Sequence, residues 1–461
     1  MALTGSEQRL TTAETFSTLV GRTKTWLADG SDHSLARRLA GTAFLIRVAS
    51  AALAFLSQVL LARWMGSFEF GIYVTAWTWI LLIGGLVDFG IGSSAQRFIP
   101  EYTERKSFTL LRGFLSGSRL IVIGCGCLVA ASCALAINFC AAWLPPYAIV
   151  PLYLACLALP LYALTHIQDG IALSYNWINL ALLPQFILRQ IALLAVMAIA
   201  FMAGFAMSAV TAMIALIIAA LIATAGQSLV LKARLAKAVT AGTKTYAVKT
   251  WFATSLPMLL VEGFFMLLTY TDVLILQFFS SPDDVGVYYA ATKILSLVAI
   301  IYFSVSAATA HKFTAYDVAG NREQLSAFLI QAIGWTFWPS LLATVLILVA
   351  GRPLLWLFGE RFVEGYYLLF LLAIGLLARA ALGPVERFLN MLGEQRICAG
   401  VYAFAFALNL VLCIVLIPHL GVAGAAMSTS IALVAESILL FLVTRQRLGF
   451  HVFIFRRSKG R

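Results

Sequence analysis

The sequence predicts an all-α integral membrane protein: twelve transmembrane helices in two pseudo-symmetric six-helix lobes around a central cavity. Three observations predict it. Of 461 residues, 62% are hydrophobic and 11% charged, with a mean hydropathy of +0.94, whereas soluble domains run at roughly 45–50% apolar and about 25% charged. Apolar runs of membrane-spanning length recur along the whole chain, and one short motif occurs twice, 215 residues apart. This composition excludes a cytosolic enzyme, a disordered tail protein and a secreted repeat, because the solvent for most of the chain is lipid.

Apolar runs bounded by charges, Gly or Pro place spans 1–12 at about 41–63, 71–95, 114–141, 147–173, 182–204, 206–230, 252–279, 285–310, 325–350, 364–391, 396–418 and 421–444. Each meets the requirement of about 20 mostly apolar residues for a crossing. The polar segment before span 1 predicts no cleavable signal peptide, so span 1 is its own insertion signal. Gly84-Gly85, Pro160, Pro184, Pro257, Pro339 and Gly383-Pro384 interrupt spans and are candidate hinges. The seven cysteines all fall in apolar stretches without metal spacing and read as packing or lipid-facing residues, so no metal site is expected.

Orientation follows from the basic residues. With the N-terminus inside, the cytoplasmic segments hold 23 Lys and Arg, against Arg63, Arg352 and Arg361 outside. That bias places both termini in the cytoplasm, and accounts for much of the +12 net charge without a nucleic-acid partner. The expected organisation is a flexible cytoplasmic tail (1–36), an N-terminal lobe (37–230), a basic cytoplasmic linker (231–251), a C-terminal lobe (252–445) and a basic cytoplasmic tail (446–461). The repeat supports two halves: Glu-Phe-Gly-Ile-Tyr-Val-Thr-Ala at 69–76 joins spans 1 and 2, and Asp-Val-Gly-Val-Tyr-Tyr-Ala-Ala at 284–291 joins spans 7 and 8. Both copies lie on the same side, as in a parallel repeat about an axis along the membrane normal.

At residues 61–73, 88–98, 271–276 with 285–288, and 416–426, the chain resembles the multidrug/oligosaccharidyl-lipid/polysaccharide exporter superfamily, within it the bacterial polysaccharide (O-antigen type) flippase branch. The resemblance runs from about residue 37 to 447. It implies a two-lobed, twelve-helix protein that flips an isoprenoid-pyrophosphate-linked oligosaccharide from the inner to the outer leaflet of the bacterial inner (plasma) membrane, for lipopolysaccharide, capsule or exopolysaccharide synthesis. The expected partners are the lipid-linked oligosaccharide, membrane lipids and a polysaccharide polymerase complex. No cofactor is expected beyond a proton or sodium gradient or the membrane potential.

The informative residues are charges where lipid disfavours them, at about 2.5–3.5 kcal/mol each on insertion scales. Six are cationic (Arg47, Arg119, Arg189, Lys293, Arg379, Arg387) and six acidic (Asp88, Asp169, Glu262, Asp272, Glu386, Glu436). Helical spacing lines up Arg47 with Ser50 and Gln58, Lys293 with Tyr289 and Ser296, and Arg379 with Gly383, Glu386 and Asn390. Arg47, Arg189, Lys293 and Arg379 are the candidate substrate-binding residues, since a guanidinium fork pairs with phosphate oxygens and lysine supplies a mobile point charge. Asp88, Glu262, Asp272, Glu386 and Glu436 are the candidate ion-coupling or gating residues; His166 and Asp169, one turn apart, could relay a proton. Salt bridges that tie helices together are the competing reading for every one of them.

Two other functions compete. A multidrug cation antiporter of the same superfamily would show an anionic lumen. A membrane glycosyltransferase or polymerase would carry a sizeable aqueous loop with catalytic carboxylates; the longest external connection here is about 351–363, and no catalytic residue is expected.

Overall fold

The computed structural model describes residues 32–450 and 452–454, so most of the expected N-terminal tail and half of the expected C-terminal tail lie outside the described residues. The described residues are predominantly helical, and among them no strand occurs. Eleven helical stretches are long and apolar enough to cross a bilayer. The difference from twelve lies in the first, Ile46–Glu104. Its 59 residues would reach roughly 90 Å as one helix at ~1.5 Å per residue, about three bilayer thicknesses. It is not one helix. Within α1 (Asp32–Val87), Gly66 adopts φ 76°, ψ 171° and divides two arms, and Phe89 and Gly90 (φ 50° and 72°) turn the chain again before α2 (Ile91–Glu104).

The remaining order is α3 (Phe108–Cys140), α4 (Pro146–Ser174), α5 (Ile178–Leu183), a π turn over Pro184–Leu188, α6 (Arg189–Met202) and α7 (Ala209–Ala238), followed by the linker. After it come α8 (Val248–Phe279), α9 (Pro282–Val318), α10 (Arg322–Val349), the short α11 (Gly351–Trp356) with a 3₁₀ turn over Glu360–Gly365, α12 (Tyr366–Ala380), α13 (Val385–Met391), α14 (Gln395–Leu420) and α15 (Val422–Val443).

Helix starts follow local chemistry. Ser281 and Asp284 form a capping box with Pro282 in the first turn of α9. Ser208 caps α7, whose first turn also donates from Ala209 N to Glu69 Oε2 at 2.7 Å. One expected hinge is a break, Gly383 (φ 64°) and Pro384 separating α12 from α13, whereas Pro184 opens a π turn within continuous helical backbone. Gly84 and Gly85 instead sit in unbroken helix, where a Cβ would come within 2.8 Å of the Tyr162 ring and 2.5 Å of Met266 Sδ. Their role here is close packing, as small residues serve in membrane bundles.

The buried core is not one body. At the end of the bundle that carries Gly66, a single cluster joins both halves, from Leu61, Phe70 and Tyr73 to Val285, Tyr288, Phe362 and Leu369. At the opposite, linker end the two large clusters are separate, one built from the first half around Phe98, Phe114 and Ile171, the other from the second half around Phe313, Phe388 and Tyr402. The α8 helix runs between them: Trp251 belongs to the first-half cluster, Leu268 to the second-half cluster, and Leu276 to the shared one.

Candidate transport pathway

The repeat is the centre of the shared contact. A Cβ on Gly71 would lie 1.7 Å from the Pro282 carbonyl oxygen, and one on Gly286 would lie 2.8 Å from the Ser67 carbonyl oxygen. Gly71 and Gly286, like Ser67 and Pro282, are 215 residues apart, so each half presents the same two positions to the other. Such a self-complementary contact is what a pseudo-two-fold axis produces. Glycine is required because backbone meets backbone. Around it, Ser67 Oγ hydrogen-bonds Asp283, and Asp283 also pairs with Arg361 at 3.3 Å. Arg63 donates to the carbonyls of Leu357 (2.7 Å) and Trp356 (2.6 Å).

The acidic residues are held by nearby groups. Asp88 accepts from the backbone N–H of Gly90 (2.9 Å) and Gly92 (3.2 Å), and so caps α2. The same turn approaches α8, where Ser94 and Ser255 hydroxyls lie 2.7 Å apart and Ser93 donates to Glu262 at 3.0 Å. Asp272, buried, accepts from Tyr288, from Thr429 (2.9 Å) and from the Val273 N–H (2.8 Å). Asp169 accepts from Gln227 at 2.6 Å.

Of the four candidate substrate residues, one is committed to carboxylates. Arg379 lies 3.4 Å from Glu386 and 3.6 Å from Glu436, donates to Tyr402, and has the Tyr302 ring 5.2 Å from its guanidinium. Arg47, Arg189 and Lys293 form no ion pair among the described residues. Arg47 is exposed on the first arm of α1. Arg189, just past the π turn, is buried with its Nε unpartnered and stacks on Trp77 at 5.0 Å and Tyr162 at 5.8 Å. Lys293 sits over Tyr289 at 4.7 Å. An aromatic face holds a cation without neutralising it, leaving the charge available to an anion.

Sequence spacing found Tyr289 beside Lys293, four residues apart on one helix. It missed Trp77 and Tyr162 around Arg189, which three different helices bring together, and Tyr402 and Glu436 around Arg379. Among the described residues no group of His, Cys, Asp and Glu is placed to hold a metal.

Comparison with known proteins fits this architecture. The polysaccharide biosynthesis protein family matches residues 39–310, and the MatE family matches residues 257–415. A curated relative, the probable low-salt glycan biosynthesis flippase Agl15 of Haloferax volcanii, is 23% identical over 184 residues, which cover 39% of this chain and 38% of that protein. Among solved structures, an inward-facing multidrug resistance MATE family transporter of the MOP superfamily superposes with a TM-score of 0.71 at 14% identity, over 88% of this chain and 98% of that one. The lipid II flippase MurJ in an inward closed conformation gives 0.70 at 18%, over 87% of each chain. These neighbours share the fold and are transporters and flippases rather than enzymes. The protein is a multi-pass membrane protein, and the match over 39–310 makes it a member of the polysaccharide biosynthesis protein family, within the multidrug/oligosaccharidyl-lipid/polysaccharide exporter superfamily.

Proposed function

We propose that the protein flips an isoprenoid-pyrophosphate-linked oligosaccharide across the bacterial inner membrane by alternating access between two lobes, 37–230 and 252–445. The observation that carries this reading is the set of cations Arg47, Arg189 and Lys293, which lack ion pairs among the described residues, two of them lying over aromatic faces. A pathway with uncommitted cations suits a pyrophosphate. The glycan flippase from Haloferax supports the substrate class.

In this reading the Gly66 end is external and the linker end cytoplasmic, with both termini inside, because Lys and Arg concentrate at the linker end. The joined core at the Gly66 end then makes this the inward-facing arrangement. Transport draws on a proton or sodium gradient or the membrane potential. In intact cells, an impermeant thiol reagent should label Glu360→Cys and leave Thr243→Cys untouched; the reverse pattern overturns the orientation.

The fold of the multidrug transporter and the MatE match favour a second reading, extrusion of organic cations. Purified protein in vesicles separates the two. Translocation of a fluorescent polyprenyl-pyrophosphate oligosaccharide, without extrusion of cationic dyes, is the expected result, and the opposite outcome replaces the flippase with the antiporter.

A further inference from the structure

A lipid-linked head group cannot leave through the outer mouth alone, since its tail stays in the bilayer. It must exit sideways, through a gap between the lobes at the Gly66 end. The pseudo-two-fold axis provides two such sides, and the structure treats them differently.

One side is closed by the connection between α10 and α12. Its Phe358 and Phe362 are 0% and 1% exposed and pack on Phe70 of the first half, with ring centroids 6.5 and 5.8 Å away. Phe358 also meets Phe55 at 5.6 Å. The Arg63 hydrogen bonds to Trp356 and Leu357 fasten the same connection across the lobes.

The corresponding connection in the first half, 141–145 between α3 and α4, makes no such seal. Trp143 is 89% and Tyr147 43% exposed, and among the described residues no hydrogen bond or ion pair ties this segment to the second half. A cleft remains. Its outer part is lined by Ile72, Trp143, Tyr147 and, from the second half, Pro282 and Val285. It continues through Leu144, Leu152, Gln277 and Phe278 into a longer apolar groove between the second arm of α1, the α3–α4 hairpin and the end of α8, facing the membrane.

We propose that this groove is the lateral exit, holding the apolar tail of the transported lipid while its head group passes the Gly71–Pro282 contact. The inference rests on the flippase reading above. Three features select the tail as occupant. The groove is apolar along its membrane length, it begins at the interlobe contact where the head group must emerge, and it is walled by both lobes, so it changes shape as they rock. Ordinary phospholipid filling the same space is the competing occupant.

The test uses full-length protein in vesicles with the polyprenyl-linked oligosaccharide. A photoreactive benzophenone residue at Phe278, in the groove, is compared with one at Trp356, on the closed side; both positions are exposed (63% and 52%). The lipid-linked saccharide should crosslink several-fold more at Phe278. In parallel, Ala148→Trp fills the groove at a partly open position and should slow flipping about tenfold, an added barrier near 1.4 kcal/mol, at normal abundance. Equal crosslinking at both positions, capture of phospholipid only, or unimpaired flipping by abundant Ala148→Trp would each overturn the exit while leaving flippase function intact. Failure of the wild-type protein to flip this substrate would remove both.

Discussion

Gly71→Val is expected to abolish transport in a protein that still reaches the membrane. The ground is steric. A Cβ at this position would lie 1.7 Å from the Pro282 carbonyl oxygen and 3.2 Å from the Gly286 nitrogen, and backbone cannot yield as a flexible side chain can. The lobes can carry a side chain here only by parting at the Gly66 end, which removes this arrangement from the cycle and leaves the opposite one. Gly286→Ala should be milder, since its Cβ meets the Ser67 carbonyl oxygen at 2.8 Å. Ala291→Cys is a suitable reporter in a background without the native cysteines, because Ala291 is fully buried in the shared core. In the Gly71→Val protein an impermeant maleimide should label it, and in the parent it should not. Normal transport by Gly71→Val would show that the repeat contact is never required to close.

The fold was legible in the sequence because lipid imposes a simple rule: a helix must be about 20 residues of apolar chain, and this rule located the spans, although helices such as Ala209–Ala238 and Pro282–Val318 run well past the expected ends at 230 and 310. The broken span 10 was legible for the same kind of reason, Gly383-Pro384 being unable to continue a helix. The pairing of Gly71 with Pro282, and of Gly286 with Ser67, was half legible. The repeat itself could be read at its offset of 215, but that its two copies touch depends on how the halves associate. Asp88 is the instructive case. Its charge within an apolar run marked it as a candidate for coupling or gating, the glycines at 90 and 92 marked it as a helix-end residue, and the N–H groups of those two glycines donate to it. Arg189 needed three dimensions altogether, since Trp77 and Tyr162 reach it from α1 and α4.

The other large effect is expected at Arg379, and it depends on Glu436 rather than on the nearer-in-sequence Glu386. Glu436 is fully buried, and neither carboxylate oxygen has a hydrogen-bond partner, so Arg379 at 3.6 Å is its one counter-charge among the described residues. Glu386 has a side chain 28% exposed and also accepts from Tyr302 at 3.3 Å. Removing Arg379 therefore strands one charge without water. Breaking a buried pair in this way costs about 3–5 kcal/mol, enough to deplete a membrane protein, so Arg379→Ala should lose most of its abundance. Pairing Arg379→Ala with Glu436→Gln should restore the protein level, whereas pairing it with Glu386→Ala should not. Arg379→Lys keeps the charge but not the fork that reaches both carboxylates, and should be intermediate. Transport by the rescued double variant then decides what the arginine does. An abundant but inactive Arg379→Ala/Glu436→Gln protein would make the cluster part of the transport pathway, and one that flips normally would confine Arg379 to holding α12, α13 and α15 together.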